Sequence, residues 1–201
     1  MTDNGRRSGA QTRAEIQQVA LSLFSTQGYD ATSLREIAER IGISKASLYY
    51  HFRSKEEIVA SVLGSRGDEA AELLAWVQAQ PPGPDLLERA VLRWVDSFSV
   101  DKLRGIRFVT ANPAVMRSTS VSASGDPGGR IRDGLAAVVE LVAGPDVARD
   151  PARLLLVRMA FLSINAAVAA SAGAGLRDED VVAAAREAAL ALIARLRATD
   201  A

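Results

Sequence analysis

Cysteine is absent from this sequence of 201 residues, which excludes disulfide bonds and thiolate metal ligands. Histidine occurs only once, at position 51, so a histidine catalytic base or a cluster of histidine metal ligands has little support. The sequence also has no Gly-rich loop of the kind that binds phosphate groups. These absences predict a protein that is not an enzyme and that uses no cofactor or metal.

Net charge is absent as well, because 24 basic residues balance 24 acidic ones. The distribution is less even. Residues 1–55 contain eight basic and five acidic side chains, and two of the three lysines in the chain. This local excess predicts a modest positive potential of the kind that attracts nucleic acid.

Membrane-directing segments are not evident. The N-terminal segment MTDNGRRSGAQTR lacks the apolar core of a signal peptide. Residues 154–176 come closest to a membrane span, but Arg158, Asn165 and many small residues would make spanning costly. We interpret this stretch as a buried helix and expect a soluble, cytoplasmic protein.

Residues 32–55, TSLREIAERIGISKASLYYHFRSK, contain the most informative pattern. Apolar residues recur at helical spacing in LREIAERI, and Ser33 with Glu36 predicts a capping box at the start of that helix. Gly42 can end the helix in the left-handed conformation, and Ser44 can cap a second short helix. Two short helices joined by a Gly-containing turn form a helix-turn-helix, whose second helix enters the major groove of DNA.

The outward positions of this second helix suit contacts with DNA. Lys45 and Ser47 can reach bases or phosphates, and Ala46 is small enough to approach a thymine methyl group. Lys45 is the main candidate for base reading, since its ammonium group can donate to O6 and N7 of guanine. Tyr50 and His51 suit phosphate contacts at the helix end, although packing at that end explains them equally well.

The run from Thr32 to Ile58, TSLREIAERIGISKASLYYHFRSKEEI, closely resembles the DNA-binding signature of the TetR family of transcriptional regulators. Its most specific part is LYYHF followed by a lysine three residues later, and weaker similarity extends back to Thr12. The resemblance implies that Thr32 and Ser33 contact phosphate groups and that Arg35 contacts a base. It implies that Ser44, Lys45, Ala46, Ser47 and Tyr49 face the groove, and that Tyr50, His51 and Lys55 contact the DNA backbone. The implied DNA-contacting residues are Thr32, Ser33, Arg35, Ser44, Lys45, Ala46, Ser47, Tyr49, Tyr50, His51 and Lys55.

The remaining sequence is predicted to be helical, since no segment alternates apolar and polar residues as a strand does. Thr12 with Glu15 predicts a capping box for the first helix, and Ser54 with Glu57 predicts another for a long helix that runs to about Gln80. Later helices are expected at about 85–99, 101–111, 130–143, 151–172 and 179–198, with a break at Gly144-Pro145. The predicted fold class is all-α.

This organisation predicts two domains. Residues 1–53 form a three-helix DNA-binding domain, with a flexible arm at 1–11 and the helix-turn-helix at about 33–51. Residues 54–201 form a larger helical domain for regulation and dimerisation. Arg6 and Arg7 of the arm could add phosphate or minor-groove contacts, or the arm could simply be mobile. No linker precedes the long helix, so a displacement at one end can reposition the other as a rigid lever.

Two apolar stripes run along the helix at about 151–172. One contains Leu154, Val157, Phe161, Ile164 and Val168, and the other contains Leu155, Met159, Leu162, Ala166 and Ala169. The final helix, at about 179–198, is rich in alanine, which allows close helix approach. The core of a monomeric bundle would explain this pattern. The TetR resemblance implies instead that both helices pair with their mates in a homodimer, which would bind a pseudo-palindromic operator in double-stranded DNA.

The TetR resemblance also implies a small-molecule pocket in the C-terminal domain. The candidate lining residues are Trp76, Trp94, Phe98, Phe108, Asn112, Met116, Met159, Phe161, Ser163 and Asn165. Ordinary core packing is the alternative for each. Asn165 is the most suggestive, because a buried amide needs hydrogen-bond partners. Arg107 or Arg158 could pair with an acidic ligand, or lie in a salt bridge or at the surface.

The sequence therefore predicts a sequence-specific DNA-binding transcriptional regulator, and specifically a repressor that a small molecule releases from its operator. An activator or a ligand-independent regulator would have the same sequence features. A purely structural helical protein would leave the outward Lys45, Ser47 and Tyr49 as coincidences. An enzyme is disfavoured by the missing catalytic groups.

Overall fold

The structure is a computed structural model that describes residues 8–115 and 127–198. Within these residues the chain is helical and has no β-strand, which confirms the predicted all-α fold class. The helices are α1 (Gly9–Gln27), α2 (Leu34–Ile41), α3 (Lys45–His51), α4 (Lys55–Gln78), α5 (Leu86–Asp96), α6 (Val100–Ala111), α7 (Pro127–Arg149), α8 (Pro151–Ala170) and α9 (Asp178–Arg197). Arg6, Arg7 and Met116 lie outside the described residues.

Helix α1 begins earlier than the sequence predicted. Ser8 is its N-cap: the Ser8 hydroxyl accepts from the main chain of Gln11 at 3.2 Å, and the Gln11 side chain accepts from the main chain of Ser8 at 2.8 Å. The predicted capping box of Thr12 and Glu15 is therefore wrong, because Thr12 lies buried inside the helix. Two capping signals occur four residues apart, and the upstream one is used.

The N-terminal core cluster joins α1, α2 and α3 to the first turns of α4. Its most buried side chains are Ile16, Ile37, Leu48, Phe52 and Ile58. Phe108 of α6 also enters this cluster, where its ring centroid lies 5.2 Å from that of Phe24 and 5.8 Å from that of Tyr29. Because α4 and α6 contribute to it, this core continues past the predicted domain boundary at residue 53, and that boundary stays a prediction.

Helix α4 follows α3 after a short turn, as the sequence predicted. The Ser54 hydroxyl accepts from the main chain of Glu57 at 3.2 Å, while the Glu57 carboxylate accepts from the main chain of Arg53 at 2.7 Å. The predicted Ser54 cap is therefore confirmed. In the second bond, however, the Glu57 carboxylate accepts from the main chain of Arg53 and not from that of Ser54. The later turns of α4 pack with α5 to α9 around a second core cluster. Helix α7 is interrupted at Gly144, where φ is +72°, as the predicted break requires.

Helix α8 has two different faces. The stripe that contains Val157, Phe161, Ile164 and Val168 is buried in the second core cluster. The other stripe faces outward, and its large members Leu155, Met159 and Leu162 are 56%, 45% and 47% exposed. The expectation that α8 is buried on two sides is therefore met on one side only within a single chain. By length and composition this helix could cross a membrane, although a third of its most apolar window is buried inside the fold.

Candidate nucleic-acid interface

The turn between α2 and α3 has the local geometry that the sequence predicted. Ser33 and Glu36 form the capping box, with the Glu36 carboxylate accepting from the Ser33 main chain at 2.7 Å and from its hydroxyl at 2.8 Å. These bonds, the main-chain one first, hold the pKa of Glu36 below its ordinary value. Gly42 adopts the left-handed conformation with φ of +79°, and the Ser44 hydroxyl accepts from the main chain of Ser47 at 3.1 Å. The predicted helix-turn-helix is confirmed as a structural unit.

Contacts from α1 and α4 fix the inner side of α3. The guanidinium of Arg13 lies 4.1 Å from the ring centroid of Phe52, and it donates to the His51 carbonyl at 2.8 Å and to the Ser61 hydroxyl at 3.1 Å. Gln17 donates to the same Ser61 hydroxyl at 2.7 Å. The sequence reasoning missed this group. Its one local signal was the spacing of Arg13 and Gln17, which places the two side chains one helical turn apart on the same face of α1.

The outer side of α3 presents several of the predicted DNA-contacting residues together. Lys45, Ala46, Tyr49 and Tyr50 are exposed, and Tyr50 is 86% exposed. The Lys45 ammonium lies 5.5 Å from the ring centroid of Tyr49, within the range of a cation–π contact. Ser44 is also exposed, while Ser47 is half-buried. The surface therefore offers one cation, two phenol groups and small side chains on a single short helix.

Besides Ser33 and Ser44, three more of the predicted DNA-contacting residues have hydrogen-bond or ion-pair partners within the chain. The hydroxyl of Thr32 is buried and donates to the Gly28 carbonyl at 2.8 Å. The ammonium of Lys55 donates to the Tyr29 carbonyl at 2.5 Å, and Arg35 pairs with Glu39 at 2.7 Å on the exposed face of α2. A DNA contact by these side chains would add to such bonds or replace them. The contacts themselves stay predictions.

Tyr29 is a second residue that the sequence reasoning missed. Its hydroxyl donates to the Glu56 carboxylate at 2.7 Å, and the Lys55 ammonium lies 4.3 Å from its ring centroid. Burial, followed by the hydrogen bond to Glu56, raises the pKa of Tyr29 well above its ordinary value. Tyr29 thereby joins the loop before α2 to the first turn of α4. Its only sequence signal was an aromatic residue directly after the helix-ending Gly28.

A cavity of about 930 Å³ lies behind this unit, between α1 and the helices α4 to α8. Four of the ten predicted pocket residues line it: Trp94, Phe98, Phe161 and Asn165. The sequence reasoning missed Ala14, Gln17, Gln18 and Leu21 of α1, and Arg66 of α4, all of which line it too. The cavity therefore reaches α1, the helix that packs on the helix-turn-helix.

The other predicted pocket residues that the structure describes lie elsewhere. Trp76 packs under the guanidinium groups of two arginines of α5, and Phe108 belongs to the N-terminal core cluster. Asn112 donates to the Phe108 carbonyl at 2.8 Å at the end of α6. Ser163 is buried, and Met159 is on the exposed stripe of α8.

Asn165 is exposed at the cavity, so the expectation that its amide is buried is wrong. Of the two arginines considered for an acidic ligand, Arg107 pairs with Asp178 at 2.5 Å. Arg158 is exposed and lines the cavity. Of these two arginines, Arg158 is therefore the one that lies where a ligand in the cavity could contact it.

Comparison with known proteins agrees with this geometry. The sequence profile described as "Bacterial regulatory proteins, tetR family" matches residues 16–62, which run from α1 into α4. The HTH-type transcriptional regulator AcrR of Shigella flexneri is 35% identical over 86 residues, covering 43% of this chain and 40% of AcrR. The HTH-type transcriptional repressor KstR2 of Mycolicibacterium smegmatis is 46% identical over 54 residues, covering 27% of this chain and 26% of KstR2. The chain thus matches less than half the length of these curated relatives.

The similarity of fold extends further along the chain. A TetR-family transcriptional regulator from Bordetella parapertussis superimposes with a TM-score of 0.66 at 21% identity, covering 92% of this chain and 93% of that one. Identity at this level shows the fold alone. The profile and the helix-turn-helix show that residues 16–62 are similar to the DNA-binding part of TetR-family regulators, and the solved structure shows that the likeness of fold continues beyond them. The matching profile describes regulatory proteins, which agrees with the expectation that the chain is not an enzyme.

Proposed function

We propose that this protein is a sequence-specific DNA-binding transcriptional regulator, and specifically a repressor that a small molecule releases from its operator. The observation that carries the proposal is the contrast between the two sides of α3. Its inner side is held by Leu48, Phe52 and the bonds of Arg13, while Lys45 and Tyr49 project outward. A short helix held in this way can enter the major groove without losing its shape.

The proposed roles of the outward residues follow their chemistry. Lys45 is proposed to donate to the O6 and N7 acceptors of guanine, and Ala46 to contact a neighbouring base edge. Ser33, Tyr50 and His51 are proposed to hold phosphates on either side, which would fix the register of α3 on the duplex. Since the matching profile describes bacterial proteins, the operator would lie on DNA in the cytoplasm, and the protein is proposed to act there.

Two chains are proposed to act together as a homodimer. Leu155, Met159 and Leu162 are exposed on α8, which packs against α9, and Ala184 and Ala188 are exposed on α9. Leu162 also lines the cavity. Large apolar side chains next to small ones allow the close packing that a four-helix interface needs. A two-fold dimer would present its two α3 helices to half-sites about 34–36 Å apart on a pseudo-palindromic operator.

Release by a ligand is proposed from the position of the cavity. Because Gln17 and Leu21 of α1 line it together with residues of α4, α6 and α8, an occupant would contact both the DNA-binding unit and the larger helical core. A ligand would weaken DNA binding only by its preference for the shape that does not bind, typically by about 1–3 kcal/mol. The name of one relative, the repressor KstR2, favours repression over activation.

Selection of bound sequences from a random duplex pool tests the proposal. The expected result is enrichment of an inverted repeat, with affinity that falls as salt rises at a log–log slope of about −0.9 per phosphate neutralised. Enrichment of an unrepeated half-site would remove the dimer from the proposal. Binding without any enriched sequence, or no binding with and without cell extract, would contradict sequence-specific regulation.

A further inference from the structure

The wall of the cavity is mainly apolar. Side chains from six helices supply this surface, including Leu21, Val62, Trp94, Ile106, Leu135 and Phe161. A volume of about 930 Å³ is within the range of sites that bind small organic molecules. An occupant that displaces water from this surface would therefore have a mainly apolar body.

One part of the wall is positively charged. Arg66 of α4 and Lys102 of α6 both line the cavity, and both pair with the same carboxylate, that of Glu69. The Lys102 ammonium lies 3.0 Å from this carboxylate and also donates to the Ser97 carbonyl at 2.7 Å. Two cations thus share one anion. Among the described residues that line the cavity, four are basic (Arg66, Lys102, Arg132 and Arg158) and two are acidic (Asp101 and Asp133), so its wall carries more positive than negative charge.

Arg66 is the better placed of the two cations to hold an anion. Its side chain is 11% exposed, and its guanidinium carbon lies 3.9 Å from the ring centroid of Phe98 and 4.4 Å from that of Trp94. These rings hold the guanidinium by its face, so it can donate only from its edge. Nη1 donates to Glu69, but Nη2 has no hydrogen-bond partner in the described parts of the chain.

An unpaired donor in a buried position is costly, and the cost is larger when the group is charged. Burial lowers the pKa of Arg66, and the Glu69 carboxylate only partly offsets this. Arginine nevertheless stays protonated in proteins, so the charge persists. Nη2 is covered by the chain, so a small shift of the Arg66 side chain would bring it to the cavity, where an oxygen acceptor carried by a ligand would satisfy it.

We propose that the cavity binds an amphipathic monoanion, whose apolar body fills the space between α1, α6 and α7 and whose anionic group accepts hydrogen bonds from Arg66 next to Lys102. This rests on the proposed function only in treating the occupant as the effector; the binding itself needs no DNA. A carboxylate suits the site, because a guanidinium edge can donate to both of its oxygens.

Two fluorescent dyes with the same ring skeleton test the proposal in the absence of DNA. 8-Anilinonaphthalene-1-sulfonate carries one negative charge, whereas N-phenyl-1-naphthylamine carries none. Both are titrated into the full-length protein and into Arg66→Met. The expected result is that Arg66→Met weakens binding of the sulfonate dye by about tenfold, as the loss of a charged hydrogen bond predicts, and changes binding of the neutral dye by less than threefold.

Matched variants separate charge from shape. Arg66→Lys keeps the charge and is expected to retain most of the affinity for the sulfonate dye. Arg177→Met removes an exposed arginine that pairs with Asp180, and it is expected to leave the affinity for both dyes unchanged. Arg66→Met combined with Glu69→Gln avoids leaving Glu69 without Arg66. Melting curves followed by circular dichroism show whether each variant is folded.

A test with the unmodified protein covers the case in which the Arg66 variants do not fold. Dodecanoate is expected to displace the neutral dye at a concentration at least tenfold lower than dodecan-1-ol does. Equal displacement by the acid and the alcohol, or equal loss of both dyes in folded Arg66→Met, overturns the proposal. DNA binding is measured separately by the duplex selection, so a failure here with a successful selection removes only the ligand assignment.

Discussion

The side-chain amide of Gln18 donates to the Asp101 carboxylate at 2.6 Å, which links α1 directly to the start of α6. Both residues line the cavity. Phe108, two turns further along α6, packs against Phe24 of α1. Helix α1 and helix α6, whose Leu103 belongs to the second core cluster, are therefore in contact at a polar point and at an apolar one.

Gln18→Ala is expected to lower the free energy of unfolding by about 0.5–1.5 kcal/mol, because the substitution removes this hydrogen bond. Urea unfolding at neutral pH measures the change. Gln78→Ala, at the exposed end of α4, is the matched control and should change stability by less. An equal effect of the two substitutions would mean that the contact between α1 and α6 does not depend on Gln18.

Lys45→Ala is expected to relax specificity at one base pair of the selected operator, at a cost of about 1–3 kcal/mol for the preferred base. The measurement compares affinities for the operator and for its single-base variants. Arg177→Ala, far along the chain in the turn before α9, is the control and should leave the affinities unchanged. A uniform loss of affinity on all sequences would instead identify Lys45 as a phosphate contact.

Tyr29→Phe is expected to change how stability depends on alkaline pH. Unfolded tyrosine ionises near pH 10, whereas burial and the bond to Glu56 raise the pKa of Tyr29 in the folded protein. The stabilisation is therefore complete below about pH 10 and is lost as pH rises towards the raised folded pKa. Urea unfolding at pH 9 and pH 11 should show a smaller loss of stability in Tyr29→Phe than in the unmodified protein.

The matched control for that experiment is Tyr50→Phe, since the Tyr50 side chain is 86% exposed. Its pH dependence should equal that of the unmodified protein. If Tyr29→Phe and Tyr50→Phe behave alike between pH 9 and pH 11, the buried Tyr29 hydroxyl does not contribute to alkaline unfolding.

Gly42→Ala is expected to destabilise the protein by roughly 1–2 kcal/mol, because φ at this position is +79°. A methyl group would meet nothing within 4 Å, so the cost comes from the backbone and not from a clash. Gly83→Ala, also in open space but at a position without a positive φ, should be close to neutral. Thermal unfolding of both variants measures the difference. A loss of the same size at Gly83 would contradict the backbone explanation.

Leu155→Arg is expected to weaken self-association, because it places a charge at the first and most exposed leucine of the α8 stripe. Light scattering after size-exclusion chromatography measures the molar mass over a range of concentrations. Leu176→Arg replaces a leucine of similar exposure, 54% against 56%, in the turn after α8, and should leave the mass unchanged. A monomeric unmodified protein, or equal effects of both substitutions, would remove the proposed interface.

The sequence predicted the helix-turn-helix well because its determinants are local. Ser33 with Glu36, Gly42, and Ser44 with Ser47 interact over at most three residues or depend on a single backbone angle. Such interactions can be found without knowing the fold. The same reasoning misplaced the start of α1, since Ser8 with Gln11 and Thr12 with Glu15 are similar signals, and only their context selects between them.

Contacts between distant residues were not predictable in this way. Arg13 and His51 are 38 positions apart, and nothing in either segment specifies the other. Phe108 shows a related difficulty: its apolar character predicts burial, but it does not say which of the two core clusters receives the ring. The cavity was therefore located only approximately. Four predicted residues line it, while Arg66 and the residues of α1 were found from the structure.

Helix α3 has seven residues, which is too short to be stable as an isolated helix in water. Its helical conformation is therefore stabilised by contacts on its inner side, which involve Arg13, Phe52 and Ser61. If α3 reads DNA as proposed, two proteins with the same residues from Lys45 to Tyr49 need not bind the same operator with equal strength. Substitutions in α1 or α4 would then change gene regulation while every base-contacting residue stays the same.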